Sequence, residues 1–293
     1  MSAIDAAARP RTWIGIIVAL AAAACFALAN TAASLAEGGG SSPLTIAAVR
    51  FLVPALALFV WLRLSGVPLV MPLRAALMSV GLGVLSALYT WALLRSFGLI
   101  PFALAVLIFY LFPLMAAAIV AALGFEKFSW KTGAAIVVAL IGLALALKVQ
   151  DSGLDPAGLL LAVLSALGLA IVVVVSSRVF GGGDARPTTM YMAASASALV
   201  FIICAVSGDF ALPQSGAAWV SFTASSVIYA FAMIGFYIAV SMIGPVLSSI
   251  LSYADAVMSA CLGVIVLNQA LTAVQIAGIA LVIVALVGAT IQR

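Results

Sequence analysis

The sequence predicts an all-α, polytopic membrane protein with ten transmembrane helices in two inverted five-helix repeats. Three observations carry this. The chain is a succession of ten apolar segments of near-spanning length, separated by short polar loops. Hydrophobic residues make up 67% of it and charged residues only 7%, with a mean hydropathy of +1.38; a water-soluble chain of this size needs far more charge to cover its core. The late part of each half also shows a weak internal similarity.

A bilayer core takes about 20 apolar residues to cross as a helix. The segments that meet this are 12–36, 44–64, 73–96, 100–123, 131–148, 155–178, 188–208, 216–241, 245–267 and 271–291. The first opens on Arg9 and Arg11 and has small residues near its end, like a signal peptide. Its apolar run is much longer than a signal core, so it reads as a retained helix. Trp13, Trp61, Trp130 and Trp219 fall at helix ends, where amphipathic rings sit among headgroups. Trp91 lies inside the third helix and does not fit that pattern.

Basic residues set the orientation. With a cytoplasmic N-terminus, the inside loops hold Arg9, Arg11, Arg63, Arg74, Lys127, Lys131, Arg178, Arg186 and Arg293, and the outside loops only Arg95 and Lys148. Both termini are therefore expected to be cytoplasmic, in a multi-pass protein of the cell (inner) membrane. The net charge of +4 is explained by this topology, so no nucleic-acid partner is expected.

The stretch from Ile100 aligns with the stretch from Ile243, setting Tyr110 against Tyr253 and Glu126 against Gln269. The repeats are expected at 1–150 and 151–293, joined by the polar linker Lys148 to Pro156. Five spans per repeat is an odd number, so the second half is inverted across the bilayer. That is the plan of secondary carriers, with a substrate site near mid-depth and alternating access between two mirrored shapes.

Several function classes drop out. The chain contains no histidine, which excludes a Ser-His-Asp triad and a His-rich metal site. Cys25, Cys204 and Cys261 lie in separate apolar segments without ligand spacing. The eight acids form no paired cluster inside the spans, and no GxxxxGK[ST] phosphate loop is present. No enzyme activity, cofactor or metal is expected. The remaining partners are a small-molecule substrate and the lipid bilayer.

Polar residues inside the spans are the candidate site. Asp255 lies near the middle of the ninth helix, where a carboxylate is costly unless it meets water or a partner. Ser248, Ser252 and Ser259 share its helix face by spacing. Asp255 reads either as a group that binds a substrate ammonium or carries a proton, or as a carboxylate tied to nearby hydroxyls. Arg50 lies about 10 Å along the second helix. It can snorkel outward, hold backbone carbonyls, meet a substrate carboxylate or pair with Asp255. Ser86 and Thr90 stand on a small polar face of the third helix beside Tyr89. Tyr89, Tyr110, Tyr229 and Tyr253 all fall away from helix ends, where each hydroxyl needs a partner. Asn30 in the first helix is a further costly polar group. Pro113 follows Tyr110 and interrupts the backbone ladder of the fourth helix. "GAAIVVALIG" and "GIALVIVALVG" keep small-residue faces that permit close helix crossings. Each helix has a counterpart inside the chain, so a monomer is expected.

The chain resembles an EamA-type member of the drug/metabolite transporter superfamily over nearly its whole length. The resemblance rests on "PLTIAAVRF" (Pro43 to Phe51), "GFEKFS" (Gly124 to Ser129) and "FALANTAAS" (Phe26 to Ser34), in that order and spacing. The second half departs from the family pattern, with Gln269 in place of a Glu and no arginine within the seventh helix. In overall look the nearest subgroup is the aromatic amino-acid exporters. The resemblance implies a ten-helix basket with both termini cytoplasmic that exports amino acids or related metabolites. Cationic drugs or nucleotide sugars are the alternative cargo. Asp255 would suit a cationic drug, whereas Arg50 alone offers little to the phosphates of a nucleotide sugar.

Overall fold

The computed structural model describes residues 3–124, 130–147, 155–181, 183–267 and 272–291. Among them it contains twelve helices and no strand: α1 (Ala3–Gly38), α2 (Pro43–Leu64), α3 (Leu73–Ser96), α4 (Phe102–Phe109), α5 (Phe112–Ala122), α6 (Trp130–Leu147), α7 (Pro156–Phe180), α8 (Ala185–Ser207), α9 (Gly216–Ile243), α10 (Pro245–Leu251), α11 (Tyr253–Leu267) and α12 (Ala273–Ile291). They make ten membrane spans, because α4 with α5 and α10 with α11 each form one broken span. Glu126, Lys127, Gln269 and linker residues 148–154 lie outside the described residues.

The helix starts are chemically marked. Ser42, Asp155, Asp184 and Ser215 each accept a backbone N–H of the helix that follows, replacing a bond the first turn lacks. The Asp184 cap starts α8 at Ala185 rather than at residue 188 as the sequence suggests. Trp13, Trp61, Trp130 and Trp219 are exposed at span ends, as interfacial rings are. Trp91 packs instead against a core shared by α1, α2, α3, α7, α8 and α9. Val163, Ile202, Val206, Ile276 and Val284 point outward, where lipid tails replace water.

Helices find their main partners in the opposite half. The first span packs on the eighth, the second on the seventh, the third on the sixth and seventh, and the fifth on the tenth. The first also meets the ninth, the second meets the eighth, and the sixth meets the fourth. Advancing every span by five exchanges these contacts among themselves. First-on-eighth becomes sixth-on-third, while second-on-seventh and fifth-on-tenth map onto themselves. The halves are thus related by a pseudo-two-fold axis, which lies in the membrane plane because five is odd.

The fifth and tenth spans cross where neither has a side chain. A Cβ placed on Gly142 would lie 2.6 Å from the Gly278 carbonyl oxygen, and a Cβ on Gly278 would collide with the Gly142 carbonyl. These are the small-residue faces seen in the sequence. The eighth and ninth spans are joined through Gly244, whose φ of +82° suits glycine alone.

Candidate functional site

The fourth and ninth spans break at corresponding places. Between α4 and α5, Pro113 has no N–H to give the Phe109 carbonyl. Between α10 and α11 the chain turns at Ser252, with neither proline nor glycine to announce it. A continuous ninth helix over 245–267 is therefore corrected to two. Tyr110 and Tyr253, set against each other by the internal alignment, stand at the two breaks.

The breaks are tied together. The Tyr253 hydroxyl donates to the Tyr110 backbone carbonyl at 2.8 Å, and the rings stack with centroids 5.7 Å apart. The Tyr110 hydroxyl donates to Asp255 Oδ2 at 3.0 Å. Ser259 Oγ donates to Asp255 Oδ1 at 3.2 Å. Asp255 is thus met by two neutral donors.

A second polar centre joins α1, α2 and α9. Arg50 Nε donates to Ser225 Oγ at 2.8 Å, and Nη1 donates to Asn30 Oδ1 at 3.2 Å. Nη2 donates to the Ala29 carbonyl. The guanidinium lies 5.1 Å over the Tyr229 ring, a cation–π distance. Phe26 and Phe51 meet that ring edge-on, at 5.5 and 5.9 Å.

Both centres lie near mid-depth. Ser225 is nine residues from the start of α9 and Asn30 eight from the end of α1, about 14 and 12 Å from that face. Asp255 is ten residues from the opposite face, where α10 starts, about 15 Å away. The pairing of Arg50 with Asp255 considered from sequence is absent. Among the described residues the one ion pair is Arg186 with Asp184. Arg50 and Asp255 are near enough to feel each other electrostatically, yet each is bound by neutral groups.

The other residues singled out in the sequence divide. Tyr89 is half-buried beside Phe109, 6.4 Å between centroids, and Thr90 next to it is also half-buried. Tyr89, Tyr229 and Tyr237 lie within electrostatic range of one another. Ser86 corrects the expectation of a cavity wall: it is 1% exposed and donates to the Leu82 carbonyl of its own helix. Ser252 likewise donates to the Ser249 carbonyl. Ser248 is buried with no partner for its hydroxyl among the described residues. Neither Ser248 nor Ser252 hydrogen-bonds Asp255, and Ser259 alone of the aligned serines reaches the carboxylate. Tyr253 is fully buried. Tyr237 was missed. Its only sequence signal is its place two helical turns beyond Tyr229 on α9.

One face is closed and the other carries a cavity. Where the α1–α2 and α8–α9 turns meet, Ser42 N–H donates to the Ala211 carbonyl at 3.1 Å and Gln214 N–H to the Gly39 carbonyl at 3.0 Å. Ser42 Oγ donates to the Asp209 carbonyl at 3.0 Å, and Ala211 N–H donates to Thr45 Oγ1 at 3.1 Å. At the other face a cavity of about 340 Å³ lies among the ends of α5, α7 and α9 and the start of α10. Its lining includes Val120, Val174, Val240, Ser177, Arg178 and Ser241.

Ten spans in two halves, with paired broken helices and polar centres at mid-depth, define the class: a membrane carrier of small molecules. The chain belongs to the EamA-like transporter family, whose sequence pattern matches it twice, over residues 13–148 and 156–291. Members of this family are transporters rather than enzymes. A solved crystal structure, titled simply as that of a protein, superposes with a TM-score of 0.81 over 95% of this chain and 99% of the other. At 21% identity it establishes the fold. No curated protein matches the sequence.

Proposed function

We propose that the protein exports amino acids, aromatic ones included, or related small metabolites across the cell (inner) membrane by alternating access. The observation that carries this is Asp255. It is a carboxylate at mid-membrane whose hydrogen-bond partners are the neutral hydroxyls of Tyr110 and Ser259. A membrane carboxylate is stabilised by a cation, and a substrate ammonium is the cation this site is built to receive. Beside it Tyr110 stacks on Tyr253 and meets Phe109, and Tyr229 lies at the Arg50 centre; such rings suit an aromatic side chain. The repeats, 1–150 and 151–293, would exchange shapes to move the site from one face to the other. The asymmetry of basic residues favours cytoplasmic termini, with the cavity beside Arg178 as the cytoplasmic mouth. The glycine faces of α6 and α12 are occupied by each other, which favours a monomer.

The same feature favours a second reading, a carrier of lipophilic cationic drugs, because a carboxylate with neutral partners beside aromatic rings suits those as well. Flux of labelled phenylalanine, tryptophan and a lipophilic cation in proteoliposomes separates the two. The amino-acid reading expects flux of phenylalanine or tryptophan that the Asp255→Asn protein loses. Transport of the cation alone would establish the second reading. Unchanged flux in a folded Asp255→Asn protein would remove Asp255 from the mechanism.

A further inference from the structure

We propose that Arg50 is the carboxylate-binding pole of the same site, so that the substrate is a zwitterion held between Arg50 and Asp255. This rests on the reading of Asp255 as the ammonium pole. Arg50 mirrors Asp255 in one respect. Its hydrogen-bond partners are the hydroxyl of Ser225, the amide oxygen of Asn30 and the carbonyl of Ala29, all neutral. Among the described residues it makes no ion pair. Glu37, exposed at the outer end of α1, reaches it only through longer-range electrostatics.

Two opposite charges at similar depth in a low-dielectric interior would normally close on each other. Here each is pinned to its own scaffold. Ser225, Asn30 and Ala29 grip the guanidinium from α9 and α1, and Tyr229 shelves it. Tyr110 and Ser259 hold the carboxylate from α4 and α11. A separated pair of unmatched charges is completed by one ligand that carries both charges itself.

Arg50 also retains donors. Of the five N–H groups of a guanidinium, three are used, leaving one on each terminal nitrogen among the described residues. Free guanidinium N–H groups donate charge-assisted hydrogen bonds to a carboxylate. Asn30, which holds Nη1, is itself exposed, so this edge of the centre is not packed core. Tyr229 with Phe26 and Phe51 supplies apolar surface beside the pole.

Competition against labelled phenylalanine flux in proteoliposomes tests the assignment. The competitors are phenylalanine, phenethylamine, which lacks the carboxylate, and 3-phenylpropionate, which lacks the ammonium. In the unmodified protein, phenylalanine should compete at least about tenfold better than either, because a site with a buried charge rejects an analogue that leaves it unpaired. Arg50→Gln should weaken phenylalanine to the level of phenethylamine and leave phenethylamine itself unchanged, while Arg50→Lys retains part of the preference. The competition series needs no variant, so it decides even if Arg50→Gln fails to fold. Phenethylamine matching phenylalanine in the unmodified protein would overturn the role of Arg50 and leave the ammonium site standing. An equal loss for both compounds in Arg50→Gln would make Arg50 a structural tie. If the protein carries neither phenylalanine nor tryptophan, the amino-acid reading itself falls, and Arg50 as its carboxylate pole with it.

Discussion

Tyr253 donates its hydroxyl to the backbone carbonyl of Tyr110 at 2.8 Å, joining the break in one repeat to the break in the other. The two residues correspond in the internal alignment but differ in function. Tyr110 passes its own hydroxyl on to Asp255, whereas Tyr253 is spent on the Tyr110 backbone. The repeat is therefore symmetric in backbone and asymmetric in chemistry, with its carboxylate on one side only.

Tyr253→Phe removes one buried hydrogen bond and leaves the Tyr110 carbonyl wanting. The protein should lose about 1 kcal/mol of stability, read as a lower Tm in nanodiscs. An unchanged Tm would mean that ring stacking alone holds the breaks together.

Tyr110→Phe should act in the opposite sense on binding. Its hydroxyl occupies Asp255 Oδ2 in the substrate-free protein and must yield to an incoming ammonium. Removing it should lower KM for an amine-bearing substrate by about tenfold, the equivalent of one hydrogen bond to a charged group. A higher KM would place Tyr110 among the groups that hold the substrate.

Gly142→Leu should separate the fifth and tenth spans. The atom it meets is the Gly278 carbonyl, which belongs to the backbone and cannot rotate away. A cost of about 1–3 kcal/mol is expected, visible in thermal unfolding. Gly81, with open space around its Cβ position, is the control and should tolerate alanine.

Thiol labelling should follow the cavity. Ser177 lines it, whereas Ser86 is 1% exposed. In a variant without Cys25, Cys204 and Cys261, Ser177→Cys should react with a water-soluble maleimide from the face that carries the cavity and Ser86→Cys should stay inert. The reverse order would show that this cavity is not the open mouth.

Asp184 lies outside the spans, and hydrogen bonding from Arg186 holds its carboxyl below the ordinary value of 3.8. A depressed folded-state pKa contributes stability above the unfolded value, and the contribution is lost as pH falls through the folded one. Asp184→Asn keeps the cap geometry but loses the charge. Its Tm should be slightly lower at pH 7, and the difference should shrink as pH falls below 3.8. A difference that persists in acid would trace to the cap.

The spans were legible because twenty-residue apolar runs leave few alternatives. Asp255, Arg50, Asn30 and the tyrosines stood out because a polar group in an apolar helix is costly wherever it points. Their partners were not legible. Nothing local in the sequence says that Arg50 takes Ser225 rather than Asp255, since that depends on how α1, α2 and α9 cross. Ser86 misled because a serine on a small helix face can satisfy itself on the carbonyl one turn back. The break at Ser252 carries no proline or glycine, so only its pairing with the Tyr110 break reveals it.

The exchange of partners between halves also dictates how the chain must be born. The first span finds its chief neighbour in α9, which starts only at Gly216. Until then Arg50 has only Asn30 and Ala29 of α1 to meet, and lacks Ser225 and Tyr229. An arginine short of partners at mid-membrane is costly, and snorkelling toward headgroups offsets only part of that cost. The nascent first half therefore carries a charge that is only partly satisfied. A chain truncated before Ser225 should be degraded rather than accumulate.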